Sequence, residues 1–239
     1  MIEVYRKNQQ SFGEFNSGEI IENKPIGFPH ESGGSKAYSN IFYWAFAEGK
    51  KDSTIGLHPH KGFEIMTYVI KGSIKHYDTL IKKWITLNKG DVQIIQSGSG
   101  ISHSEYLEKN SSIFQIWFDP NLEKSLYQKP SYKDYQSIGF KINNKKKIII
   151  GENSPIKIFS EKIKIYELFN NKDFIIENSN NLFLSIYILR GEIKINKKII
   201  QKDSFIKIKE EKEIKINVIS NCKLFCISSP INPTYKTYI

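Results

Sequence analysis

From about residue 38 the chain consists of short runs of β-branched and aromatic residues. Gly, Asn, Asp and Lys break them at intervals of roughly eight to twelve, the spacing of a β-sandwich or barrel. Helical periodicity is scarce. The pattern predicts strands over 41–47, 64–70, 73–77, 84–87, 92–96 and 113–118, with turns at Lys71-Gly72 and Asn88-Lys89-Gly90-Asp91. Residues 119–155 are polar, hold Pro120, Pro130, Pro155 and the run KINNKKK, and read as a connection with at most a short helical turn. The earlier segment GFPHESGG reads as a loop lying over a β-unit.

A second strand series follows, and it repeats the first. Tyr68-Val-Ile-Lys-Gly72-Ser-Ile-Lys matches Tyr187-Ile-Leu-Arg-Gly191-Glu-Ile-Lys at an offset of 119. Asn88-Lys-Gly-Asp-Val-Gln-Ile-Ile95 matches Gln201-Lys-Asp-Ser-Phe-Ile-Lys-Ile208 at an offset of 113, the hairpin between being six residues shorter. Two related β-domains in tandem are expected, 1–135 and 156–239, joined by a linker over 136–155.

Composition narrows the class. With 239 residues, 39% hydrophobic and 25% charged, the chain is an ordinary globular one. No apolar run approaches the roughly 18 residues of a membrane helix, and the first residues, MIEVYRKNQQSFGEF, lack the apolar core of a secretory signal. A cytoplasmic protein without membrane contact is expected. Cys222 and Cys226, four apart on one strand, read as reduced, buried thiols. The net charge of +10 raises nucleic acid as a partner, yet the only arginines are Arg6 and Arg190. Lysine lacks the bidentate fork that reads guanine, and here it alternates with isoleucine, as in IKIKEEKEIKIN, like the solvated face of a strand.

Three of the five histidines fall close together in the first repeat: His58-Pro59-His60, and His103-Ser104-Glu105, with Glu64 between. Residues i and i+2 of a strand share a face, so His58 and His60 can converge, as can His103 and Glu105 from another strand. Three nitrogens and one oxygen make a site suited to a first-row metal, above all Fe(II). His76 reads as exposed and His30 as a loop residue with a possible gating role. Tyr43, Phe46, Met66 and Trp117 are candidates for either pocket lining or ordinary core. Ser97-Gly98-Ser99-Gly100 lacks a Walker lysine and reads as a tight bend presenting His103.

The runs HPHKGFEIMTYVIKGSIKHYD and GDVQIIQSGSGISHSE resemble the paired motifs of cupins, in the form particular to pirins, which are bicupins. The resemblance is strong over 38–135 and weak over the second repeat. It implies an all-β fold of two tandem jelly-roll-like barrels, with His58, His60, His103 and Glu105 as iron ligands. General cupins take their carboxylate ligand from the first motif and carry a proline where Gln96 stands here. Glu64 is therefore left either as a partner supporting the ligands, with a catalytic role open to it, or as the ligand itself. The resemblance implies an Fe(II)-dependent dioxygenase, or one using another first-row divalent metal, acting with O2 on quercetin-type flavonols or other chelating enols. Glu105 would accept the substrate proton. The alternative it implies is a non-catalytic iron-bound redox sensor with a protein partner. Transferred by the offsets, the ligand positions of the second repeat hold Glu177, Ser179, Ile216 and Val218, so no second site is expected.

Overall fold

The computed structural model describes residues 1–238, with twenty strands, one short α-helix and two single-turn 3-10 helices. In chain order these are β1 (Ile2–Tyr5), β2 (Ser11–Phe15), β3 (Ile20–Ile26), β4 (Ile41–Gly49), β5 (Ser53–His60), β6 (Glu64–Lys71) and β7 (Ser73–Asp78). Then come β8 (Ile85–Asn88), β9 (Val92–Gln96), β10 (Ile101–Leu107), β11 (Ser112–Phe118), α1 (Leu122–Ser125), β12 (Ser131–Tyr135), β13 (Ile142–Asn143) and β14 (Lys146–Ile150). The last are β15 (Lys164–Asn170), β16 (Phe174–Glu177), β17 (Leu182–Ile195), β18 (Lys198–Gln201), β19 (Phe205–Ile208) and β20 (Glu213–Pro230). No helix of the described residues is long and apolar enough to cross a membrane.

The chain divides into two units. One holds Gln10–Gly139, Ile158–Ser160 and the residues from Thr234 onward; the other holds Met1–Gln9, Phe140–Lys157 and Glu161–Pro233. This division differs from the expected boundaries at both ends. β1 pairs with β19 and so belongs to the second unit, and the stretch expected as a linker forms β13 and β14 of that unit's sheet. The polar stretch before them likewise contains β12, paired with β9. β12 and β13 are sheet edges with few buried residues, so they carry no alternation that marks a strand.

The first unit has a seven-stranded sheet, β12-β9-β6-β11-β4-β3-β2, and a four-stranded sheet, β5-β10-β7-β8. The second unit runs β1-β19-β17-β20-β15-β14-β13, with β16 on β20 and β18 on β17. The orders correspond: β9-β6-β11-β4 matches β19-β17-β20-β15, and β5-β10-β7-β8 matches β16-β20-β17-β18. β17 stands for both β6 and β7, and β20 for both β10 and β11. The fold is all-β, two tandem barrels in the bicupin manner. The repeat extends to single hydrogen bonds. Gly90 N donates to Val69 O at 2.7 Å and Val69 N to Asp91 O at 3.1 Å; 113 to 119 residues on, Asp203 N donates to Ile188 O at 2.8 Å and Ile188 N to Ser204 O at 3.0 Å.

Glycine is required where the chain turns from one layer into the next. Gly72 (φ +73°) and Gly191 (φ +83°) both have a left-handed backbone. A Cβ at Gly72 would lie 2.9 Å from Ser111 Cα, and one at Gly191 would lie 2.4 Å from Asn221 O. Cys222 and Cys226 are unpaired and wholly buried in the second unit's core.

Within the first unit Asp119, just past β11, anchors residues from the chain's end. Its Oδ2 accepts the Tyr238 N–H at 2.8 Å and its carbonyl accepts the Tyr235 hydroxyl at 2.7 Å. The side chain is wholly buried, Oδ1 has no partner, and burial pushes the carboxyl up to about 6. The unfolded carboxyl titrates near 3.8. Between these values the folded state keeps a proton that the unfolded state has lost, so this group's stabilisation declines as pH rises through the window. At about 1.36 kcal/mol per unit the loss is on the order of 2 kcal/mol. Urea unfolding at pH 4 and pH 7 should show this loss in the native chain relative to Asp119→Asn; equal pH dependence in the two would remove Asp119 as the source.

Candidate metal centre

The site is built on two neighbouring strands. β5 and β10 pair antiparallel with His58 opposite His103 and His60 opposite Ile101. On its other edge β10 pairs with β7, placing Asp78 opposite His103 and His76 opposite Glu105. Ring centroids lie 4.9 Å apart for His58 and His60, 4.4 Å for His58 and His103, and 4.8 Å for His60 and His103. One ligand atom from each of the three lies within 4.8 Å of the others.

The lone pairs are available for a cation. His58 Nδ1 lies 2.7 Å from Gly56 O, and since a carbonyl only accepts, Nδ1 carries the proton and Nε2 is left as the donor to a metal. His60 Nε2 and His103 Nε2 face each other at 3.0 Å. Burial, then the neighbouring His103 and His58, push His60 down to about 3, with Glu105 opposing. Burial, then His58 and His76, hold His103 well below the usual histidine range. The neutral imidazoles of His60 and His103 therefore converge with that of His58, whose Nε2 is left over, and the donor set fits a first-row divalent metal.

The carboxylates stand differently. Glu105 is buried on β10 but lies outside the three-histidine cluster; a bulge falls between it and His103. Its Oε1 accepts from Gln115 Nε2 at 2.7 Å, and Gln115 Oε1 accepts from Trp117 Nε1 at 3.0 Å. The indole can only donate, so it fixes the amide with its NH2 toward Glu105. Glu64 is also buried and outside the cluster, and both its oxygens are taken. Gln96 Nε2 (2.9 Å) and Phe159 N (2.6 Å) donate to Oε1; Ser160 N (2.7 Å) and Ser160 Oγ (2.5 Å) donate to Oε2. Glu64 thereby holds the 158–160 segment in this unit.

His76 is the clear correction. It is wholly buried, not exposed, because β7 points Ile74, His76 and Asp78 to one face. That i, i+2 alternation was the readable signal. His30 sits in the 27–34 loop, its ring 5.9 Å from that of Phe28.

A cavity of about 380 Å3 borders the cluster, lined by Phe15, Phe28, Tyr43 and Trp117, by His58, Glu105 and Gln115, and by Glu22 and Lys24. Of the four candidates for lining or core, Tyr43 and Trp117 reach the cavity, whereas Phe46 and Met66 lie in the core. Glu22 and Lys24 were missed, since charged side chains on a strand normally face solvent. Here Lys24 is buried by ion pairs to Glu31 and to Glu22 (3.7 Å), and Glu22 also accepts the Tyr43 hydroxyl at 3.0 Å.

Residues 35–118 match the family model described as Pirin. The chain carries a pirin domain. Similar stretches occur in a pirin-like protein of Caulobacter vibrioides, 49% identical over 77 residues (31% of this chain, 32% of the relative). Another occurs in quercetin 2,3-dioxygenase of Escherichia coli K12, 41% identical over 68 residues (27% of this chain, 29% of the relative). The matched stretches thus span about a third of those relatives' length. Over nearly all its length the chain shares the fold of YhhW from Escherichia coli, with TM-score 0.82, 22% identity, and coverage of 99% of this chain and 100% of that one. YhhW has also been solved in complex with nickel(II). The whole histidine cluster lies inside the matched pirin domain.

In the pirin domain His58→Ala, His60→Ala and His103→Ala should each abolish stoichiometric metal binding, measured by elemental analysis after loading and desalting. Glu64→Gln should keep its metal while losing about 1–3 kcal/mol of stability, because the amide turns a donor toward donors. Metal loss in Glu64→Gln with full retention in His60→Ala would reverse the assignment.

Proposed function

We propose that this chain is a metal-dependent dioxygenase acting on flavonol-type or other chelating enol substrates with O2. The carrying observation is that His58, His60 and His103 converge, and that His58 lines an aromatic-walled cavity whose volume falls within the range of small-ligand sites, roughly 300–1,000 Å3. His58, His60 and His103 would hold the metal, with Glu105 as the fourth donor; three nitrogens and one oxygen suit Fe(II). When bound, such an ion supplies a Lewis acid for adjacent substrate oxygens and redox chemistry toward O2. The similarity to a relative named quercetin 2,3-dioxygenase favours the same class.

The protein's own groups supply the rest. Phe15, Phe28, Tyr43 and Trp117 present faces for a planar aromatic substrate and exclude water from it. Glu105 borders the cavity with one oxygen held by Gln115, which leaves lone-pair capacity for the proton of a substrate hydroxyl. The buried Glu22 and Lys24 give the same cavity an acceptor and a cation for further substrate hydroxyls.

With Fe(II) restored anaerobically, O2 uptake should require both the metal and a chelating substrate such as quercetin. Glu105→Gln should lower kcat more than it weakens substrate binding. Metal-bound protein that consumes no O2 with any of a panel of flavonols and enediols, but changes its affinity for a protein partner between Fe(II) and Fe(III), would establish the sensor instead.

A further inference from the structure

Behind His103, on the side away from His60, lies a second group of polar side chains that the proposed reaction does not use. Asp78 is wholly buried: its Oδ1 accepts the N–H groups of Leu80 and Ile81, both at 2.7 Å, and its Oδ2 pairs with His76 Nε2 at 2.8 Å. A carboxylate so engaged acts only as an acceptor, so His76 Nε2 carries the proton and His76 Nδ1 is a lone pair. The His76 ring is clamped against Tyr132, centroids 4.5 Å apart and 11° from parallel. Its Nδ1 is buried without a partner.

The complementary group is on His103, whose ring centroid lies 5.6 Å from that of His76. His103 Nε2 faces His60, so a metal held there leaves the proton on Nδ1, and that atom too is buried without a partner. A donor lacking an acceptor and an acceptor lacking a donor sit on adjacent buried rings, where each alone is costly. Asp78, directly opposite His103 in the strand register, has both oxygens already engaged, Oδ1 by two backbone N–H groups and Oδ2 by His76. We propose that Asp78 and His76 form a positioning pair for His103: Asp78 fixes the tautomer of His76, and His76 Nδ1 accepts the His103 Nδ1–H, directly or through one water. His103 is thereby aimed at the metal. This rests on the assignment of His103 as a ligand above. It extends the usual rule that a ligating histidine gives its other N–H to an acceptor, here a histidine whose direction a carboxylate sets.

Three variants separate the roles. His76→Phe keeps the stacking on Tyr132 and removes the acceptor. Asp78→Asn keeps the acceptor for Leu80 and Ile81 but turns an amide N–H toward His76, driving the proton to Nδ1, where it opposes the His103 proton. His76→Asn restores an acceptor near the original Nδ1. Co(II) affinity by chelator competition and the visible Co(II) spectrum are the readouts, with thermal unfolding to show that each variant folds. Affinity should fall ten- to a hundredfold in His76→Phe and Asp78→Asn, with a shifted spectrum, recover in His76→Asn, and stay unchanged in Tyr132→Phe. In the unmodified metal-free protein, long-range 1H–15N correlation should find His76 as the Nε2–H tautomer, a result that needs no variant.

Native affinity in folded His76→Phe and Asp78→Asn overturns the proposal, as does an Nδ1–H tautomer for His76. An equal loss in Tyr132→Phe would make the phenol the acceptor and also overturn it. If the native chain and His60→Ala bind Co(II) equally poorly, the ligand assignment itself has failed. Loss in His60→Ala without loss in His76→Phe ends only the positioning role.

Discussion

Two imidazole nitrogens 3.0 Å apart, from His60 and His103, cannot both be lone pairs or both be protonated without cost. A third ring, that of His58, lies two residues before His60 on β5 and directly opposite His103, with Nδ1 on Gly56 O and Nε2 left over. Everything around the cluster bears on this requirement. Burial keeps His60 and His103 neutral, which gives them no charge to repay desolvation. One proton between His60 and His103 satisfies that pair alone, whereas a cation can take a lone pair from all three rings at once.

The barrel holds these rings by layering. Ile20, Ala47, Val69, Ile74, Leu87, Leu107 and Ile113 form an apolar cluster. Along four of those strands the same inward face continues into the polar layer: Ile20 to Glu22 and Lys24, Ile74 to His76 and Asp78, Ile113 to Gln115 and Trp117, Leu107 to Glu105 and His103. Because strand side chains alternate, one apolar layer fixes the direction of every polar residue two and four positions on.

That layering explains what could be read from the chain. The convergence of the three histidines was legible because His-x-His and His-x-Glu are unusual on strands and carry their face with them, and the repeat was legible because turn glycines and hairpin lengths are conspicuous. β3 was not, since Glu22, Asn23, Lys24 and Pro25 look like a loop until their burial inside a barrel is known. His76 went unread for a related reason: judged by its neighbours Lys75 and Tyr77 it looks exposed, and only its alignment with Ile74 turns it inward. The exchange of β1 into the second unit depends on pairing between residues some 200 apart, which no local pattern encodes.

The second barrel supplies the control for the first. With the same strand order it carries Ile193 where the first has Ile74, then Ile195 in place of His76, Ile216 in place of His103 and Val218 in place of Glu105. These isoleucines are buried in one aliphatic cluster, with Val218 packed against it, while Glu177 and Ser179 stand exposed. The topology is therefore satisfied by aliphatic side chains at those positions, and the polar layer of the first barrel is not a demand of the fold. Buried imidazoles and carboxylates cost desolvation that isoleucine does not, and aliphatic replacements of buried polar groups are often neutral or stabilising. Retaining them where the fold permits a cheaper core is the physical argument that the layer serves a ligand: local departures from the best-packed solution concentrate where a protein binds or reacts.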